Sequence, residues 1–421
     1  MRTMVKQRRP LTRAIALIAS VLVAACGASQ PGQAPAEPGS SVASSAAPPS
    51  SPSTRPSLGP AAMELPAPQR LTELIARWRA TNDVPGVVVG MRLGDGVPLI
   101  VADGKDPDSG APLPADGAFE LASITKTFTG ALALDLIDAG ELGLDDPIDG
   151  YVKGFPNGDR ITIRHLLSHT SGLYPLWVEV GDTPYSQEIT DLVLSDLEHS
   201  FTPDEALELV KDRPLQFSPG QSVGYSNVNT ILLGEVIEAV TGTDITTAYR
   251  ERLLIPLGLE DTYYRATEAG PRPLPGLLRW EGGPAESTAG TPDRAILSLG
   301  GAAVGMVTTP EDLLDWGVAF LRDGASERAD LSVSRFQVAS NGTALGVIPW
   351  SIRSGACVFG GECSGFDAVT GIGLSGATSS MVAYFPRWDL TVVAFSNAGF
   401  GMPSEVEWLV AEIMRSIGGS R

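Results

Sequence analysis

Apolar positions recur at helical spacing between Arg70 and Ala80, and then give way to two runs, Val87 to Leu93 and Val97 to Ala102, separated by Gly94, Asp95 and Gly96. The first pattern predicts a helix and the second a pair of strands joined by a tight turn. The middle of the chain reads differently. Ala139 to Val152 and Ile161 to Leu173 are loops and short helices. Thr202 to Glu205 (TPDE) is a capping box with proline at the first helical position, which predicts a helix running to about Asp212. A longer helical pattern follows from Val228 to Thr241, and from about Leu136 to about Thr288 little reads as strand. Strand signals return in Gly300 to Leu321, a short strand followed by a helix capped by Thr309 with Pro310 at its first position. Ser379 to Pro386 and Leu390 to Asn397 are β-rich runs only three residues apart, hence an antiparallel hairpin, and Glu405 to Met414 closes the chain as an amphipathic helix. Strands at both ends with helices between them predict an α/β fold: one antiparallel sheet built from both chain ends, flanked by helices, with an inserted mainly helical subdomain at about 136–288.

The first 65 residues follow none of these periods. Arg2, Lys6, Arg8, Arg9 and Arg13 precede an apolar run, Ala14 to Ala25, that ends in VAAC at Val23 to Cys26. A basic start, an apolar stretch too short to span a bilayer comfortably and small residues before a cysteine form a lipoprotein signal. Residues 1–25 are therefore expected to be removed, with Cys26 lipidated and the protein held outside the cytoplasm on the cell membrane. Residues 26–64 are rich in Ala, Ser, Pro and Gly, a composition that buries too little to order itself and reads as a tether. The hydrolytic chemistry argued below falls within 65–421, long enough and, at 43% hydrophobic residues chain-wide, apolar enough for a substantial core.

Charge narrows the partners. The chain carries −19 at pH 7, and loss of the five basic residues of the signal leaves −24, which excludes nucleic acid as an expected partner. Besides Cys26 there are two cysteines, Cys357 and Cys363, in a glycine-rich stretch of an exported chain, and a disulfide is the expected state. His165 and His169 are spaced as metal ligands on a helix can be, but no third ligand lies nearby in sequence. Neither a metal nor an organic cofactor is expected.

The chemistry gathers at Phe119 to Gly130, FELASITKTFTG, where Ser123 and Lys126 stand three residues apart at a helix start. Residues at i and i+3 share a helix face, so hydroxyl and amine can meet. Such a pair is a nucleophile beside its base, provided that the site depresses the lysine pKa, since at the ordinary value of a lysine only about one molecule in a few thousand is neutral at pH 7. Tyr225 and Asn227, two apart in a loop 102 positions after Ser123, can face one cavity. GxSxG occurs at Gly220 to Gly224 (GQSVG), but in a loop and not on the strand-to-helix turn that a nucleophile elbow needs, so a Ser-His-Asp triad is unsupported.

With SxxK at 123–126, the phrases HLLSHTSGL, FSPGQSVGYSN and LLGEVIEAVTG resemble the family of class C β-lactamases, DD-peptidases and related esterases, over about Leu71 to Ala398. The resemblance implies that Ser123 forms an acyl-enzyme, that Lys126 takes its proton, that Tyr225 shuttles protons and that Asn227 binds Lys126 and the acyl-side carbonyl. The HTSG phrase around His169 recurs in the family as structure. The family's third motif, a Lys or His followed by a small residue and glycine, finds its best match in Leu374, Ser375 and Gly376, with the backbone N–H groups of Ser123 and Ala377 as the implied oxyanion hole. Leucine at 374 departs from the pattern, which argues for a neutral ester as the first substrate class. A DD-peptidase or β-lactamase acting on cell-wall peptides or β-lactams is the alternative, and a non-catalytic relative that binds cell-wall peptide or a partner is the second.

Overall fold

The computed structural model describes residues 63–176, 184–279, 285–323, 337–338, 344–345, 350–352, 368–375, 377–399 and 406–417. Cys26, Cys357, Cys363 and Gly376 lie outside them. Thirteen strands among the described residues are numbered in chain order. β1 (Gly86–Leu93) and β2 (Leu99–Gly104) form the first hairpin, β12 (Ser379–Phe385) and β13 (Leu390–Ser396) the last, and β11 (Ala368–Leu374) precedes the latter. Three short strands, β8 (Gln337–Val338), β9 (Ala344–Leu345) and β10 (Trp350–Ile352), extend the same sheet. Its order is β2-β1-β13-β12-β11-β10-β9-β8, antiparallel throughout. The two ends of the chain meet at β1 and β13, where Val87 faces Ser396 and Leu93 faces Leu390.

Alternation along these strands divides the core. Val87, Val89 and Met91 of β1, Met381, Ala383 and Phe385 of β12, and Val392 and Ala394 of β13 pack on one face. The terminal helices cover that face: Leu71, Leu74, Ile75 and Trp78 from Pro68–Asn82, and Leu409, Val410, Ile413 and Met414 from Val406–Ile417. Val88, Val382, Val393 and Phe395 point the other way, into the larger core around the helix Thr125–Asp138. That helix is buried on nearly every side, with Phe128 stacked on Trp316 at 3.9 Å between ring centroids. Helices thus flank both faces of the sheet, and the middle of the chain supplies the helical insertion.

Differences from the sequence reading are local. The second strand starts at Leu99, because Pro98 has no N–H to give the ladder and Val97 is 87% exposed. The helix capped by Thr202 is Pro203–Glu208, shorter than expected; past it the bonding tightens to Val210 N–H on the Leu207 carbonyl at 3.1 Å and Arg213 N–H on that of Val210 at 2.9 Å. Among the described residues, strand within the insertion is confined to β4 (Tyr263–Tyr264), β5 (Leu277–Arg279) and β6 (Ala285–Ser287), in keeping with the little strand expected there. β5 pairs with β6, and β4 joins β3 (Phe119–Glu120) and β7 (Met306–Thr308), both outside the insertion, in a three-stranded sheet.

Candidate active site

The three-stranded sheet sets the turn that carries Ser123. The Leu121 N–H donates to the Met306 carbonyl at 2.9 Å, and the Met306 N–H donates to Thr125 Oγ1 at 3.1 Å, so β7 grips the chain on both sides of Ser123. Between them Ala122 takes φ +44°, a left-handed conformation costing a residue with a Cβ of order 1 kcal/mol. Ser123 follows in a 3₁₀ turn, Ala122–Ile124, that runs directly into Thr125–Asp138. Ser123 and Lys126 accordingly meet as their spacing predicts.

Lys126 Nζ donates to Ser123 Oγ at 3.0 Å and to the Ala303 carbonyl at 3.0 Å, and its side chain is buried. Tyr225 Oη lies 3.0 Å from Ser123 Oγ, and Lys126 Nζ sits 5.2 Å from the centre of the Tyr225 ring. One hydroxyl is therefore in hydrogen-bond contact with an amine and a phenol, the two groups able to take and return its proton. Asn227, the first residue of the helix Asn227–Thr241, is buried and lines the same cleft.

Tyr225 is held by His169, a residue whose sequence phrase implies a structural part alone. The two rings stack at 4.6 Å with 29° between their planes. His169 Nδ1 accepts from the Asn229 amide at 3.0 Å and from the Ser226 N–H at 3.4 Å, and its carbonyl accepts from the Gly224 N–H at 2.9 Å. The residues before and after Tyr225 are thus both fixed to one imidazole residue. Two donors on Nδ1 place the ring proton on Nε2. Burial first, and the charge of Lys126 second, push the His169 pKa down to about 3, so the ring is neutral and adds no charge beside Ser123. His165 serves elsewhere, where its Nδ1 accepts from the Thr162 N–H at 3.2 Å in a reciprocal cap of the helix Ile163–Leu167. Among the described residues no three His, Cys, Asp or Glu side chains converge as a metal would need.

The opposite wall is the end of β11. Gly373 lets this strand press against the Ser123 turn, since a Cβ there would lie 2.0 Å from the Leu121 carbonyl oxygen. Ser380 Oγ clamps the contact, donating towards the carbonyls of Leu121 at 3.3 Å and Gly373 at 3.2 Å. Leu374 ends the strand, opposite Ser379, and lines the cleft. Ser375, Ala377 and Thr378 continue this wall. The Ala377 N–H faces Ser375 Oγ at 3.3 Å, a long contact that an incoming oxyanion can replace.

The free space of this cleft, its open mouth included, is about 1130 Å³, and it extends from Ser123 to charged groups that no motif announced. Glu120, three residues before Ser123, and Asp293 both engage Arg265; Asp293 does so through two oxygens, at 2.7 and 3.1 Å. Burial raises the Glu120 pKa, and Arg265 opposes it. The sequence carried no signal for this group, because its members come from three loops and strands far apart in the chain.

A family model described as Beta-lactamase matches residues 71–413. Esterase EstB of Burkholderia gladioli is 35% identical over 170 residues, 39% of this chain and 42% of that protein, so the chain spans less than half of this relative. Penicillin-binding protein 4 of Amycolatopsis lactamdurans is 25% identical over 364 residues, 82% of this chain and 88% of the relative. Among solved structures, a D-stereospecific amidohydrolase from a Streptomyces species superposes with a TM-score of 0.69 at 24% identity, covering 84% of this chain and all of the other, which establishes a shared fold.

Proposed function

We propose that this chain, which belongs to the Beta-lactamase family, is an exported amidohydrolase of the DD-peptidase kind that cuts a short peptide or amide through an acyl-enzyme on Ser123. The observation that carries this reading is the convergence of Lys126 Nζ and Tyr225 Oη, each 3.0 Å from Ser123 Oγ. Lys126, once it has given up its own proton, takes the hydroxyl proton as Ser123 Oγ attacks the carbonyl carbon. The oxyanion is met by the N–H groups of Ser123 and Ala377, and Asn227 holds the acyl-side carbonyl. Tyr225 passes the proton to the departing amine, which leaves as the carbonyl re-forms. Water then attacks the ester, loses its proton through the same two groups, and releases the acid with Ser123 restored.

For the substrate, the relative that aligns over most of the chain is named a penicillin-binding protein, whereas the esterase aligns over 39% of it. This weighs the peptide or amide above the neutral ester that Leu374 favours on its own. The ester stays the second reading, carried by that apolar side chain in the cleft wall. The same proposal takes residues 1–25 as signal, 26–64 as tether and 65–421 as hydrolase, with lipid on Cys26 and a disulfide between Cys357 and Cys363. Incubation of the soluble part with a fluorophosphonate probe, a fluorescent penicillin, a D-Ala-D-Ala peptide and a p-nitrophenyl ester tests it. Labelling by both probes with peptide turnover is expected; ester turnover with neither penicillin labelling nor peptide cleavage would replace the amidohydrolase by an esterase.

A further inference from the structure

Beyond Ser123 the cleft is bordered by a strap, residues 271–276, in which Pro271, Pro273 and Pro275 alternate with Arg272, Leu274 and Gly276. Three prolines in five residues fix half of the backbone φ angles and leave the strap little freedom to lose on binding. It is tied along its length. The Pro271 carbonyl accepts from Tyr263 Oη, the Leu274 N–H donates to the Ala118 carbonyl at 2.9 Å, and the Gly276 N–H donates to Thr288 Oγ1 at 3.2 Å. At Gly276 the strap lies backbone to backbone on the oxyanion wall, since a Cβ there would fall 1.8 Å from the Ala377 carbonyl oxygen. Arg272, four residues back, is at most about 14 Å away along the strap. Arg272 lines the same cleft as Ser123 and Ala377, so its guanidinium is available to a peptide held at Ser123.

The charges in the cleft wall are not equivalent. Arg265 is occupied by Glu120 and Asp293. Arg272 is exposed, and no hydrogen bond or ion pair among the described residues engages it. Leu374 supplies no cation at the end of β11. Among the described residues lining the cleft, a rigidly presented and uncommitted cation is thus found at Arg272. We propose that Arg272 is the carboxylate-binding residue of this cleft, and that the preferred substrate carries a carboxylate within two or three residues of the scissile bond. A guanidinium offers two parallel N–H donors to the two oxygens of a carboxylate, a match that a neutral carboxamide cannot make. An exposed pair in water contributes modestly, so the preference expected is about five- to tenfold.

This inference deepens the amidohydrolase reading and rests on it for the identity of the scissile bond, and the test separates the two. Affinities are measured by calorimetry on full-length Ser123→Ala, which holds substrate uncut, and on Ser123→Ala combined with Arg272→Ala or Arg272→Glu. The ligands are two matched pairs: acetyl-D-Ala-D-Ala and its carboxamide, with the charge on the leaving side, and N-succinyl- and N-acetyl-D-Ala p-nitroanilide, with the charge on the acyl side. In one pair the carboxylate member binds about five- to tenfold more tightly to Ser123→Ala. That ratio falls to near one with Arg272→Ala and inverts with Arg272→Glu. A ratio untouched by Arg272→Ala, or no carboxylate preference in either pair, overturns the proposal. Failure of the wild-type protein to react with a fluorophosphonate would instead defeat the amidohydrolase reading, and these binding ratios would still decide the role of Arg272.

Discussion

Replacing His169 by asparagine separates its hold on Tyr225 from its contribution to acid stability. Asparagine tolerates the φ of +53° at this position better than alanine does, and its Oδ1 can accept one of the two hydrogen bonds that Nδ1 receives. What it removes is the ring against Tyr225 and the group that titrates. The folded imidazole has its pKa lowered to about 3 from 6.5, so the unfolded chain binds the proton first as pH falls. The stability linked to His169 is complete above about pH 6.5 and is lost progressively towards about pH 3. At 1.36 kcal/mol per pH unit, the wild-type protein should lose about 3 kcal/mol more than His169→Asn between pH 7.5 and 4.5, other groups cancelling between the two. Urea unfolding at the two pH values reads this difference. At pH 7.5 the variant should also react with a fluorophosphonate about ten- to a hundredfold more slowly, because Tyr225 is no longer fixed against Ser123 Oγ. Equal losses of stability on acidification in both proteins, or an unchanged rate of labelling, would refute the reasoning.

Three further substitutions probe the walls and the anchor. Gly373→Ala puts a Cβ 2.0 Å from the Leu121 carbonyl oxygen, and should cost about 3 kcal/mol in urea unfolding together with most of the labelling rate; wild-type values would mean that β11 does not press on the nucleophile turn. Leu374→Lys brings a charge to the cleft wall. At about 4 Å and an effective dielectric near 20 the attraction for a carboxylate is of order 4 kcal/mol, most of it offset by desolvation. A remainder of about 1.4 kcal/mol shifts kcat/KM tenfold from a p-nitrophenyl ester towards a D-Ala-D-Ala peptide, and an unmoved ratio would remove Leu374 from the site. Cys26→Ser should release the protein from membranes or stall its processing, which fractionation and intact mass report; a wild-type protein found soluble and cleaved elsewhere would contradict the lipid anchor.

Ser123, Lys126 and Tyr225 were legible because each carries its chemistry in its side chain and lies within a short local pattern. The two hairpins were legible for a similar reason, since β12 and β13 alternate faces over seven residues each and β1 over eight. The parts that escaped depend on long-range placement. The Ala303 carbonyl that receives Lys126 is a backbone atom 177 positions away, invisible to any side-chain pattern. β3, β4 and β7 are two or three residues long, too short to leave an alternation, yet they fix the turn that carries Ser123. Arg265 and Asp293 stand 28 positions apart, and Glu120 is 145 positions from Arg265, so only the folded chain shows that they share charge. His169 was visible as part of a phrase, but its stacking on Tyr225 follows from a left-handed backbone turn that the phrase does not spell out.

The central claim is that Ser123 becomes acylated, and intact mass spectrometry with peptide mapping after reaction with a fluorophosphonate tests it most directly. One adduct per chain is expected, confined to the peptide that contains Ser123 and absent from a Ser123→Ala protein that unfolds within about 1 kcal/mol of the wild type. An adduct on another residue, or equal labelling of the Ser123→Ala protein, would contradict the account.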